Sequence, residues 1–258
     1  MEAAALKDSR PVRIKMLLVD AVRICREHPR DFFGMAAIVY LAPLALALLS
    51  MARDPKDMMS PRNALPGLLQ LALVIVTVVY VMYMLGAFPF LTARSLGGRP
   101  ATWTEAFSWL RERGLVSGVF LVLLLQILAA FGGLLLLIIP GIYFAVVFML
   151  VVPARVLGDH RGREALSESS RIVRPVLFRG GLSFAGVFFI PWAALLIFQF
   201  VFGLVYGFTA TSPIRVIPPA LATYLVTVFW SPIDQVAHAL LYIERSGGVS
   251  AQRKDLFV

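Results

Sequence analysis

Residues 115–157 have the sequence LVSGVFLVLLLQILAAFGGLLLLIIPGIYFAVVFMLVVPARVL, and Arg155 is their one charged residue. As a single helix rising about 1.5 Å per residue, this stretch would be roughly twice as long as the hydrocarbon layer is thick. It must therefore fold back and cross a membrane twice. The predicted turn is Ile139-Pro140-Gly141, because proline suits a helix's first turn and disfavours helical geometry in the residue before it. Gly132-Gly133 is the other candidate for the break.

Four further apolar stretches are about 20 residues or longer, the length that spans a bilayer. They are residues 32–52, 65–93, 181–208 and 220–243. With two crossings in 115–157, the sequence predicts six transmembrane helices. The composition agrees, since 59% of residues are hydrophobic, 15% are charged and the mean hydropathy is +0.82. These values exclude an ordinary water-soluble enzyme and a disordered chain.

The basic residues predict the orientation. Of the 24 Lys and Arg residues, 20 lie before the first span, between spans two and three, between four and five, or after the sixth, and four lie on the opposite side. Cytoplasmic loops carry such an excess, so both termini are expected in the cytoplasm. The net charge of +9 then indicates anionic lipid headgroups as partners and gives no reason to expect nucleic acid. Residues 1–31 carry scattered charges and no signal-like apolar region, so we expect the first span to remain in the mature protein.

An internal repeat groups the spans into hairpins. Amphipathic patterns in residues 12–26, 103–113 and 164–174 each precede a pair of spans and predict helices lying in the cytoplasmic interface. The segment 93–97 (ARSLG) parallels 154–158 (ARVLG), and 105–108 (EAFS) parallels 164–167 (EALS). We therefore predict a single all-α transmembrane domain, 1–258, with repeat units at about 12–93, 101–157 and 162–245 and a tail at 246–258. Each unit is an interfacial helix followed by a transmembrane hairpin.

Several short motifs resemble a known family. They are IPGIY at 139–143, GREAL at 162–166 followed by Ser169 and Arg171, Pro232 in the last span, and LYIER at 241–245. This pattern resembles the membrane domain associated with some glycerophosphoryl diester phosphodiesterases and with related stand-alone bacterial integral membrane proteins. Ser170 departs from it, because the family often has tryptophan there. The resemblance implies a six-span, all-helical protein of the bacterial inner membrane, without the catalytic phosphodiesterase domain.

Nothing in the sequence predicts catalysis. Cys25 is the single cysteine and the three histidines lie in different segments, so neither a disulfide nor a metal site built from cysteine or histidine is expected. The acidic residues are spread along the loops, with no cluster that would hold a divalent cation for phosphodiester hydrolysis. A non-enzymatic protein without cofactor or metal is the prediction.

The last span carries the strongest candidate for a functional site. Asp234 and His238 are four residues apart and share one helical face, Gln235 is adjacent, and Pro232 is expected to kink the helix. Ionisable residues inside a span often mark proton or substrate pathways. The alternative is a structural pair packed against Gln126, Gln199 or a cytoplasmic arginine. Asp234 is about ten residues, or roughly 15 Å, from the end of the helix, which places it near the midplane if the helix is straight.

Other residues have predicted roles in packing or lipid contact. Gly203 and Gly207 form a small-xxx-small pattern that allows close helix packing within the subunit or in a homo-oligomer. The candidate lipid-headgroup contacts are Arg94, Arg155, Arg171 and Arg174. The predicted function is an accessory or scaffold subunit that assists membrane-complex assembly, lipid organisation or envelope homeostasis, with a membrane protein as partner. The alternative is a small proton-coupled transporter or permease that uses Asp234 and His238, which would need a water-accessible cavity there.

Overall fold

The structure is a computed structural model that describes residues 14–51, 64–136, 138–206 and 213–247. All regular elements in these ranges are helices, as the predicted all-α fold class requires. In chain order they are α1 (Ile14–Glu27), a π-helical turn (Arg30–Gly34), α2 (Met35–Met51), α3 (Ala64–Leu96), α4 (Trp103–Glu112), α5 (Leu115–Leu136), α6 (Ile138–Val147), α7 (Val151–Val156), α8 (Arg163–Tyr206) and α9 (Pro213–Ser246).

Two of these helices are long and apolar enough to cross a membrane, over Gln70–Leu96 in α3 and Leu115–Gly133 in α5. A third candidate is the pair Lys15–Glu27 and Arg30–Leu46, which meets the criterion only jointly and is bent by 88° between its members. The described part of the chain thus has two or three candidate spans, fewer than the six that the sequence predicts.

Three of the predicted spans differ locally from the expectation. A turn at residues 148–150 separates α6 from α7, leaving helices of 10 and 6 residues where one span is predicted. In α9, Pro232 and the polar residues Asp234, Gln235 and His238 lower the hydropathy of the predicted sixth span, 220–243. The interfacial helix at 164–174 and the span at 181–208 are predicted as separate elements, but both belong to α8, a continuous helix of 44 residues that includes Pro175.

The first two amphipathic helices form as predicted. α1 buries Leu17, Ala21, Ile24 and Cys25 and exposes Lys15, Arg23 and Arg26. α4 begins with a capping box. The Thr102 hydroxyl accepts a hydrogen bond from the backbone amide of Glu105, and the Glu105 carboxylate accepts one from the backbone amide of Thr102. These contacts satisfy N–H groups that the first turn of a helix otherwise leaves unpaired.

The core lies at one end of the long helices, the end surrounded by α1, α4, α7 and the first turns of α8. α3 is buried from Gly86 to Ala93, α9 is mostly buried from Thr227 to Tyr242, and α7 is buried throughout. Even with their core ends included, only 22% and 17% of the apolar windows of α3 and α5 are buried. Exposing an aliphatic side chain to water costs about 1.5–3 kcal/mol, so these bare faces suit lipid. The features are those of a membrane protein.

Candidate functional site

The structure brings the three predicted polar residues of α9 together. The Nε2 atom of His238 lies 3.7 Å from Oδ1 of Asp234, one helical turn away, and Gln235 Nε2 donates a hydrogen bond of 3.3 Å to Asp234 Oδ2. Asp234 is 8% exposed and His238 is 6% exposed. The pair is therefore enclosed by protein. Ionisable groups inside a membrane protein are costly unless they are shielded from lipid in this way.

Tyr40 and Ser231, which are not among the predicted site residues, extend this cluster to α2. The hydroxyls of Tyr40 and Ser231 are 3.1 Å apart and share a hydrogen bond, and the Tyr224 hydroxyl donates to the carbonyl oxygen of Ala37. Gln199, a predicted packing partner of Asp234, instead donates to Thr223 Oγ1 at 2.8 Å. The cluster of Tyr40, Ser231, Asp234, Gln235 and His238 is called the α9 polar cluster below.

The contacts between α2 and α9 locate this cluster along the bundle. The ring of Phe33, in the π-helical turn between α1 and α2, packs against the ring of Phe229 with centroids 5.9 Å apart. α9 continues past this level toward the end of the molecule where α1 packs against it. Asp234 and His238 follow Phe229 in this direction, so they lie at the end of α9 that is enclosed by the core.

The predicted lipid-contacting arginines have different environments. The Arg155 side chain is 8% exposed and its Nη1 lies 2.9 Å from Asp159 Oδ1. Arg171 is exposed and makes two hydrogen bonds to Glu168, at 2.7 and 2.9 Å, and these bonds lower the pKa of that carboxyl below its ordinary value. Arg174 is exposed and Arg94 is half-buried. Three of the four therefore reach the surface, whereas Arg155 is an internal ion pair.

The predicted helix breaks are resolved in detail. α5 ends at Leu136 and α6 begins at Ile138, which puts Pro140 in the first turn of α6. Gly141 lies within α6 and not in a turn. There α6 packs closely against α5, since a Cβ at Gly133 would lie 2.8 Å from the backbone nitrogen of Gly141. Gly132 and Gly133 lie inside α5 and do not break it.

Three predicted positions remain, namely Pro232, Gly203 and Gly207. Pro232 is inside α9, which continues through it, and Gly203 is inside α8. Gly207 lies outside the described residues.

Ser169 is a structural residue whose position the sequence does not explain. Its buried hydroxyl donates to the carbonyl oxygen of Val147 at 2.8 Å and accepts the amide of Leu150 at 3.1 Å. The two groups belong to the end of α6 and the residue before α7, so one side chain satisfies both sides of the 148–150 turn. Its place in the family-like motif 162–166 plus Ser169 is the only signal that marks it.

Grooves on the outer surface of the described residues include the following two. One, of about 480 Å³, separates α3 from α5 and is lined by Val74, Val78, Met82, Val116 and Phe120, among others. The other, of about 600 Å³, follows α1 and includes Val22, Arg23 and Arg26. Neither is lined by a member of the α9 polar cluster. Within the described ranges no three His, Cys, Asp or Glu residues are grouped in a way that would hold a metal ion.

Comparison with known proteins leaves the family open. No family model, no curated protein and no solved structure matches the chain. The resemblance to the phosphodiesterase-associated membrane domain stays a prediction that depends on the short motifs quoted above.

Proposed function

We propose that this protein is a non-enzymatic, six-span protein of the bacterial inner membrane that acts as an accessory or scaffold subunit. Both termini would lie in the cytoplasm. The chain would be related to the membrane domain associated with glycerophosphoryl diester phosphodiesterases. Its partners would be anionic lipids together with a membrane protein or a second copy of the chain. Through these contacts the protein would assist complex assembly, lipid organisation or envelope homeostasis.

The closed packing around Asp234 and His238 is the observation that carries this proposal. A proton-coupled transporter needs water at its ionisable residues during part of its cycle, whereas a structural pair is enclosed. With 8% and 6% of their surfaces exposed, both residues fit the structural role. The hydrogen bond between Tyr40 and Ser231 also links α2 to α9, as polar side chains commonly do at packed helix interfaces in membranes.

The level of the cluster supports the same conclusion. If α1 lies in the interface, as its amphipathic surface suggests, the part of α9 beyond Phe229 lies close to the headgroups. A charged group at that depth needs no functional explanation, because its cost falls steeply toward the interface. The sequence-based estimate placed Asp234 nearer the midplane.

A transporter is the second candidate, and one observation favours it. The α9 polar cluster combines a carboxyl, an imidazole and two hydroxyls in adjacent positions, which are the groups that relay protons in pumps and transporters. In that case the enclosed state described here would alternate with one in which water reaches Asp234.

The accessibility of Ser231 separates the two candidates. Cys25→Ser removes the single cysteine. In that background, Ser231→Cys reports whether water reaches the α9 polar cluster. Ser108→Cys, at an exposed position of α4, is the matched control. We expect a membrane-impermeant maleimide to modify the control in inverted vesicles and to modify position 231 only after denaturation. Modification of position 231 at a rate comparable to the control would contradict the scaffold role and favour transport.

Co-purification tests the scaffold role itself. The protein would be isolated in mild detergent with an Asp234→Asn, His238→Ala variant in parallel, and bound proteins and lipids would be identified by mass spectrometry. A stoichiometric protein partner retained by both forms is expected. A protein that is isolated alone, with a small molecule that only the unmodified form retains, would contradict the proposal.

A further inference from the structure

The ends of α3 and α7 share a sequence pattern and a backbone hydrogen bond. The amide of Gly97 donates to the carbonyl of Ala93 at 3.0 Å, and the amide of Gly158 donates to that of Ala154 at 3.2 Å. Both alanines are fully buried. Arg94 follows the first alanine and Arg155 the second, so the two arginines occupy the same position of the repeat.

The residue after each glycine also has a positive φ. Gly98 has φ +71° and Asp159 has φ +56°, and Asp159 is the one non-glycine residue with positive φ among the described residues. A left-handed conformation is strained for most side chains but is tolerated by aspartate. Asp159 uses it to place its carboxylate 2.9 Å from the guanidinium of Arg155.

The first unit has the arginine but lacks this carboxylate. Position 98 is glycine, and a Cβ added there would meet no heavy atom within 4 Å. The Nε atom of Arg94 is buried and, within the described ranges, no hydrogen-bond acceptor contacts it. A guanidinium is always charged, and leaving a buried donor unpaired costs about 1–3 kcal/mol. Position 98 thus has open space where a side chain would lie, four residues after an arginine whose Nε lacks a hydrogen-bond partner among the described residues.

We propose that Arg94 binds a phosphate group from outside the chain, in the place that Asp159 occupies for Arg155. The guanidinium matches phosphate oxygens in geometry as well as in charge. Arg94 is in the last turn of α3, a helix apolar and long enough to cross the membrane, and exposed Arg99 follows it. This location favours the headgroup of an anionic phospholipid over free phosphate. The inference rests on the proposed function only in requiring that the protein lie in a membrane.

Gly98→Asp tests the site by supplying the missing carboxylate within the chain. Asp159 demonstrates that aspartate accepts this backbone conformation, and Gly98→Asn is the uncharged control of the same shape. Arg99→Gln removes an exposed arginine nearby and controls for general loss of positive charge. The purified protein in detergent would be titrated with phosphatidylglycerol, with phosphatidylcholine and with inorganic phosphate, and thermal unfolding and lipid retention in native mass spectrometry would be followed.

The unmodified protein is expected to bind phosphatidylglycerol and to be stabilised by it, with little effect of phosphatidylcholine. Gly98→Asp should weaken this binding about tenfold or more, a change of about 1.4 kcal/mol. It should also raise the unfolding temperature in the absence of lipid, because Arg94 gains an internal partner. Gly98→Asn and Arg99→Gln should retain phosphatidylglycerol binding within about twofold.

Three outcomes would overturn the inference. Equal phosphatidylglycerol binding by Gly98→Asp and the unmodified protein would exclude the space beside Gly98 as the site. Competition by inorganic phosphate at low concentration would assign the site to a free phosphate instead of a lipid. Loss of lipid binding in Arg99→Gln to the same extent would indicate general charge attraction. None of these results depends on whether a protein partner is retained, so the scaffold proposal can fail or succeed separately.

Discussion

The hydroxyl of Ser169 donates a hydrogen bond of 2.8 Å to the carbonyl oxygen of Val147, across the 148–150 turn that separates α6 from α7. The Ser169 hydroxyl oxygen also accepts a hydrogen bond of 3.1 Å from the amide of Leu150. Backbone groups at a buried helix break have neither water nor a helical partner. Ser169 therefore stabilises an interruption that would otherwise leave two buried polar groups unpaired.

Ser169→Ala is expected to destabilise the protein by about 1–3 kcal/mol, because both backbone groups lose their partner in the core. Thermal or denaturant unfolding in detergent would measure the change. Ser167→Ala, an exposed position two residues earlier in α8, is the matched control and should have little effect. Equal stability of the two variants would contradict the bridging role.

Adjacent glycines of α5 should respond oppositely to the same substitution. At Gly133 a Cβ would approach the backbone of Gly141 within 2.8 Å, whereas at Gly132 it would meet nothing within 4 Å. We expect Gly133→Ala to cost about 1–3 kcal/mol by forcing α5 and α6 apart. Gly132→Ala should be neutral or stabilising by up to about 1 kcal/mol, since alanine favours helix.

Unfolding temperatures of these two variants provide the measurement. A similar loss in both would indicate that α5 and α6 do not approach closely at Gly133.

The bond between Tyr40 and Ser231 links α2 to α9 and should appear as energetic coupling. Tyr40→Phe and Ser231→Ala each remove one hydroxyl, and a double-mutant cycle isolates their interaction. We expect a coupling of about 0.5–1.5 kcal/mol, typical of a buried neutral hydrogen bond. Additive effects in the unfolding measurements would contradict this contact.

Glu168 should make stability depend on pH in the acid range. The bonds from Arg171 lower the pKa of the Glu168 carboxyl in the folded protein, so its contribution is full above the unfolded value of about 4.3. As the pH falls through the lowered folded pKa, the carboxyl is protonated and the contribution is lost. Comparison of unfolding midpoints with Glu168→Gln should show a difference near neutral pH that disappears in acid. A constant difference across this range would exclude the effect.

The sequence predicts those parts of the fold that depend on one segment at a time. α1 and α4 begin and end within about two residues of their predicted bounds, because an amphipathic period is a local signal. Asp234 and His238 meet because residues four apart on a helix are neighbours wherever that helix packs.

Features that depend on packing between segments were not predictable. The bridge made by Ser169 and the contact between Tyr40 and Ser231 each join residues far apart in the chain. α8 continues through Pro175, although proline in a helix interior usually ends or kinks the helix. Within the described residues, the buried Nε of Arg94 that lacks a hydrogen-bond partner is evident only from the three-dimensional structure.

Cysteine mapping of topology tests the central claim, a six-span protein with both termini in the cytoplasm, most directly. In the Cys25→Ser background, single cysteines would replace Ser108 and Ser167, which are exposed in the structure, and Ser60 and Ser212, which lie outside the described residues. An impermeant maleimide applied to inverted vesicles should modify positions 108 and 167 only, and applied to spheroplasts should modify positions 60 and 212 only. Modification of Ser167→Cys and Ser212→Cys from the same side would contradict six spans, because the segment between them would then not cross the membrane.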